Sequence, residues 1–97
     1  MHFVSSQTEA EQISDIVSFF VEHMPDAIER TTPAFNGFEA KLAALNKARD
    51  YKGMLAYFLT LKAELLSLPT SHKNSQLTIQ RAILMVLPLL KTQEAKA

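Results

Sequence analysis

The chain contains no cysteine, only two glycines, four prolines and eight aromatic-ring residues of the Phe and Tyr types. Without cysteine there is no disulfide framework, no thiolate metal site and no thiol nucleophile. Gly37 and Gly53 stand alone, so a glycine-rich phosphate loop is excluded. A long apolar run is also missing. The longest such stretch, Leu77 to Leu90, is interrupted by Gln80 and Arg81 and falls short of the ~20 residues a spanning helix needs. Met1-His2-Phe3-Val4-Ser5-Ser6 has neither the basic region nor the apolar region of a secretory signal. These absences lead to the expectation of a soluble, cytoplasmic protein with no membrane segment.

Catalytic and metal-binding patterns are equally scarce. His2, His23 and His72 lie in no His-Glu-x-x-His or Glu-x-x-His arrangement, so the paired motifs that hold two metals in a helical bundle are missing. Glu39, Asp50 and Glu64 are scattered and form no paired-carboxylate signature. His23 is better placed to complement the negative end of a helix than to ligate a metal. The expectation is a protein that is not an enzyme and has no cofactor and no metal.

What is present is helical periodicity. At 97 residues with 47% apolar composition, the chain is expected to make a single helical domain, residues 1–97, with one core. No segment alternates apolar and polar residues as a strand would. Ile13, Ile16, Val17, Phe20 and Met24 recur at three and four residues, predicting a helix over 7–23. Ser6-Gln7-Thr8-Glu9 and Thr8-Glu9-Ala10-Glu11 read as capping boxes at its start. Pro25 should stop or kink it. Residues 25–37 form the longest connection, with a short helical turn at Pro25–Arg30 as one option. Asn36-Gly37-Phe38-Glu39 reads as the capping box of a second helix over 37–49, with Phe38, Leu42 and Leu45 inward.

Asp50 can cap a third helix over 51–67. Its wide apolar arc comprises Tyr51, Met54, Leu55, Phe58, Leu61 and Leu65, flanked by Leu59 and Leu66. Its opposite face is the small-residue row Gly53, Ala56, Thr60, Ala63 and Ser67, which suits either close helix approach or solvent. The turn at Ala48-Arg49-Asp50-Tyr51, followed by Tyr57 and Ala63, resembles the middle of a tetratricopeptide hairpin. That resemblance implies a helical hairpin only, because no second copy follows and Pro69 falls too late for the repeat. A fourth helix is expected over 75–92, capped by Asn74 or Ser75, with a disordered polar tail at 93–97. Short loops favour an all-α four-helix bundle, ahead of a swapped or dimeric pair of helical hairpins.

The fourth helix holds the run Ala82-Ile83-Leu84-Met85-Val86-Leu87-Pro88-Leu89-Leu90, without one charged or hydrogen-bonding side chain. Such a run marks a segment surrounded by other protein or by lipid, and in so short a chain that points to a central helix or a self-association surface. On a helical projection Ile79, Ala82, Ile83, Val86 and Leu90 form one stripe. Leu77, Leu84 and Pro88 form a second, next to Arg81. Either this helix is central, with the other three around it, or the second stripe is an interface. Pro88 should kink the helix or make Leu84–Leu87 its last turn, since an interior proline costs about 3 kcal/mol.

Charge is distributed unevenly. Residues 1–29 carry six acids and no Lys or Arg, a net of −6; residues 30–97 carry ten Lys and Arg against four acids, a net of +6. Glu11, Asp15 and Glu22 make a charged surface opposite the first helix's apolar face. Lys41, Lys47, Arg49, Lys52 and Lys62 concentrate positive charge on the middle helices, but the dense patch that phosphate contact requires is lacking. The expectation is a regulator, adaptor or immunity-type protein that acts by protein–protein association. It would form a homodimer through Leu77, Arg81, Leu84 and Pro88, and Glu11, Asp15 and Glu22 would offer a charged recognition surface to a protein partner. The alternative is a nucleic-acid-associated regulator using the basic middle helices.

Overall fold

Helical periodicity carries through to four packed helices. The computed structural model describes residues 9–25, 28, 32–68 and 72–96. These make α1 (Glu9–His23), a 3-10 turn (Pro33–Phe35), α2 (Phe38–Ala48), α3 (Tyr51–Leu66) and α4 (Lys73–Lys96), with no strand among the described residues. α1 packs on α2 and α4, and α3 packs on the same two helices. The helices therefore close a ring in chain order, a small all-α four-helix bundle. α4 occupies a corner of that ring. It is not central, and the expectation of three helices around it is corrected.

The core is built from the apolar faces that the periodicity marks. Ile13, Ile16 and Phe20 from α1, with Met24 just beyond its end, meet Phe38 and Leu42 from α2. Tyr51, Met54, Phe58, Leu61 and Leu65 come from α3, and Ile79, Ala82, Ile83, Val86 and Leu89 from α4. Val17, Leu45, Leu55 and Leu90 are partly buried at the margins. At the centre, Phe20 lies 5.0 Å from Phe58 and 5.8 Å, edge-on, from Phe38. Phe35, delivered by the 3-10 turn, meets Phe38 edge-on at 6.2 Å. Such aromatic pairs contribute about 0.5–1.5 kcal/mol each beyond the area they bury.

The connections follow from local chemistry. The capping boxes expected before Glu9 lie outside the described residues. Within the long connection, Ile28 is helical and buried; its amide donates to the Pro25 carbonyl and its own carbonyl accepts from the Thr32 amide. The capping box expected at Asn36 is replaced by a turn. Asn36 (φ −57°, ψ 123°) and Gly37 (φ 65°, ψ 27°) have the dihedrals of a type II turn, and Gly37 stands at the N-cap of α2 with no side-chain cap. A positive φ at Gly37 carries no Cβ penalty.

α2 ends in a Schellman motif. Arg49, at φ 57°, donates to the Asn46 carbonyl, and the Asp50 amide donates to that of Leu45. Asp50 then starts α3, its carboxylate accepting from the Gly53 amide at 2.8 Å. One residue thus serves two helix ends, which sets the tight α2–α3 hairpin.

α4 departs from expectation at both ends. It begins at Lys73, two residues early, because the Gln76 amide already bonds the His72 carbonyl. Asn74 and Ser75 therefore lie inside its first turn and are not its caps. It also runs unbroken through Pro88, and the polar residues expected to be a disordered tail are helical as far as Lys96. The proline ring points outward, on the exposed side it shares with Leu84. The Leu84 carbonyl that loses its amide donor is thus on the wet face, where water can serve it. Beyond Pro88, buried Leu89 and the bond from Gln93 Nε2 to the Arg49 carbonyl hold the last turns to the bundle.

Candidate functional site

A helix at the corner of a four-helix ring buries one stripe and leaves the opposite one outside. On α4 the inner stripe is Ile79, Ala82, Ile83 and Val86. Leu77, Arg81, Leu84 and Pro88 all lie on the exposed side. The second apolar stripe is therefore not core of this chain.

The stripe has a counterpart that the projection of α4 alone does not reveal. Lys62 Nζ on α3 donates to Gln80 Oε1 on α4 at 2.9 Å. Leu59 and Leu66 flank Lys62 by three and four residues, and Leu77 and Leu84 flank Gln80 in the same way. α3 and α4 are consecutive in the chain and pack on each other, and an antiparallel pairing about the Lys62–Gln80 bond sets Leu66 level with Leu77 and Leu59 level with Leu84. All four are between 49% and 61% exposed, with Leu87 less exposed on the same side. Large apolar residues scattered singly on a surface are ordinary; a contiguous cluster marks a contact surface. Sequence reasoning placed Leu59 and Leu66 at the edge of a core arc. The signal that distinguishes them is the seven-residue interval they share with Leu77 and Leu84, on helices separated by a short loop.

On its other side α4 meets α1. Gln12, Asp15 and Ile16 border Met85 near one end of this seam, and Phe19 and His23 border Asn74, Leu77, Thr78 and Arg81 near the other. α1 and α4 therefore run antiparallel. Leu77 lines both this groove and the groove it shares with Lys62, Lys73, Gln76 and Gln80, so it stands between the two.

Glu11, Asp15 and Glu22 are exposed on the side of α1 away from its buried face. Glu11 and Asp15 also interact within the chain. The fold brings Asp15 to the α4 seam but leaves the three acids apart from the Leu59–Leu84 cluster. His23 takes the role its position suggested. Nδ1 donates to the Phe19 carbonyl at 2.8 Å in the last turn of α1, with the ring 4.5 Å from that of Phe19. Among the described residues, no three His, Asp or Glu side chains are grouped so as to hold a metal ion.

The middle-helix cations are spread out. Lys41 Nζ lies 5.5 Å above the Tyr57 ring, Lys62 is bonded to Gln80, and Lys47 and Lys52 are exposed on different helices. The small-residue row of α3 is exposed from Ala56 onward. Among the described residues, no helix is long and apolar enough to cross a membrane. Compared with known protein families, curated proteins and solved structures, the chain has no match.

Proposed function

We propose that this is a non-enzymatic helical protein of the cytoplasm that acts by protein–protein association, as a regulator, adaptor or immunity-type protein, and that it self-associates through α4. The observation that carries this reading is the outward apolar cluster of Leu59 and Leu66 on α3 with Leu77 and Leu84 on α4. Each of these side chains is about half exposed, so covering it would return roughly 1 kcal/mol, about half the value of burying a whole leucine. A twofold homodimer is the commonest way to cover a patch of this kind. Arg81 and Pro88 belong to the same exposed side of α4 and would form its rim.

Leu84→Glu tests the reading. Leu84 is 57% exposed, so the monomer should keep its far-UV helicity while a dimer seen by light scattering at high micromolar concentration dissociates. A wild-type protein that stays monomeric at that concentration would refute self-association.

A further inference from the structure

The leucines of the outward cluster stand in two seven-residue rows. On α3 the row is Lys52, Leu59 and Leu66; on α4 it is Leu77, Leu84 and Lys91. Antiparallel pairing about the Lys62–Gln80 bond sets Leu66 level with Leu77, Leu59 with Leu84 and Lys52 with Lys91. All six side chains are exposed. Lys62 and Lys73 line the groove of about 320 Å³ between the two helices, and exposed Arg81 stands between Leu77 and Leu84 along α4. The charge that α3 and α4 supply around the leucines is of one sign. Glu64, the only acid of α3, is two residues from Lys62 and so about 200° around the helix from it. The first acid of α4 is Glu94, about 21 Å beyond Gln80 along the helix.

Resting on the reading of this cluster as a contact surface, we propose that it takes an acidic amphipathic helix of another protein, laid along the groove between α3 and α4. Seven residues of helix span about 10.5 Å, so the Leu59–Leu66 and Leu77–Leu84 rows match the heptad repeat of a third helix. Apolar anchors spaced three, four and seven residues apart on that helix seat between the two rows. Asp or Glu beside its apolar stripe then face Lys62, Lys73 and Arg81, with Lys52 and Lys91 at one end. The bond from Lys62 goes to a neutral amide and leaves its charge unmet. Opposite charges steer association and like charges oppose it. A second copy covers the same leucines but sets these cations against their own kind, so the two occupants compete for one surface and charge favours the acidic helix. A phosphate backbone would meet the cations, yet it has no apolar row with which to cover four leucines.

The probe is a synthetic peptide of about three heptads, with leucine at positions a and d and glutamate at e and g. It carries a fluorescent label and is read by anisotropy against dilute protein. Its control has lysine at e and g. At about 0.05 M salt the glutamate peptide should bind about tenfold or more tightly than the lysine peptide. At about 0.5 M salt the gap should close to within about threefold, as the Debye length contracts from above to below 10 Å. Leu84→Glu should weaken the glutamate peptide by about tenfold or more with far-UV helicity retained, because the side chain is exposed. Lys73→Glu combined with Arg81→Glu, both at exposed positions, should abolish or invert the preference while every leucine stays in place.

Equal affinity for the two peptides at low salt would overturn the inference, as would a glutamate-peptide affinity untouched by Leu84→Glu. Displacement of the glutamate peptide by duplex DNA or by phosphatidylserine vesicles would overturn it too, and would assign the cations to phosphate. Self-association is read separately, by light scattering at high micromolar concentration. A monomer that binds the glutamate peptide removes the second copy and leaves the acidic helix standing. A dimer that excess glutamate peptide leaves intact removes the acidic helix and leaves self-association standing.

Discussion

The two faces of α4 are made of the same kind of residue and have opposite surroundings. Ile79, Ala82, Ile83 and Val86 are buried against α1 and α3, whereas Leu77 and Leu84, a few residues away on the same helix, are more than half exposed. Intrinsic hydrophobicity does not separate them. Position around a corner helix does, because a helix with two neighbours in a ring can bury only the arc that points between them. The inner stripe holds the fold together. The outer stripe is left available for another molecule.

Truncating matched residues on the two faces should give the largest contrast. Ile79→Ala opens a cavity beneath a fully buried side chain and should cost about 2–5 kcal/mol in urea or thermal unfolding. Leu84→Ala, measured in dilute protein, should change stability by less than about 0.5 kcal/mol. Comparable losses at both positions would mean that the outer stripe is covered within a single chain, and the comparison would fail.

Pro88 sharpens the same contrast from the backbone side. Its ring lies on the exposed face and packs no core, so Pro88→Ala should recover the bond to the Leu84 carbonyl without loss of packing. We expect a gain of up to about 3 kcal/mol in monomer stability, read by the thermal midpoint. A loss of stability on this change would show that the proline makes a contact worth more than a helical hydrogen bond.

Smaller effects belong to the α2–α3 hairpin, which sets the angle at which α3 presents Leu59 and Leu66. Asp50→Ala removes the cap on the Gly53 amide and should cost about 1 kcal/mol. Gly53→Ala looks favourable by helix propensity, but a Cβ there would collide with the Asp50 carboxylate. The expected propensity gain of about 1 kcal/mol should therefore be cancelled in denaturant unfolding. In the Asp50→Ala background, where the obstructing carboxylate is gone, it should reappear.

Much of the fold was legible in the residues. The three- and four-residue recurrence of Ile13, Ile16 and Phe20, of Phe38 and Leu42, and of Met54, Phe58, Leu61 and Leu65 marked the buried faces, because helical period and burial are tied by geometry. Asp50 was legible as a cap for the same local reason. The ends of α4 were not. Polar residues at 93–96 read as a tail because local composition carries no trace of the Gln93–Arg49 contact, made across forty-four positions of the chain. Pro88 read as a kink or a stop because the penalty is local, while the outward aim of its ring is tertiary. The interaction surface was half legible. Leu77 and Leu84 stood out against Arg81, but Leu59 and Leu66 looked like the shoulders of a core arc until the Lys62–Gln80 bond set α3 against α4.

By itself, the amino-acid sequence determined that this protein is all helix, where its helices fall to within a few residues, and which face of each is apolar. Those properties come from spacing along one chain segment and need no knowledge of neighbours. Only the tertiary structure decided which apolar residues stay outside, because burial depends on how many helices surround each one. α4 sits at a corner with two neighbours, and that placement turned part of its unbroken apolar run into a surface.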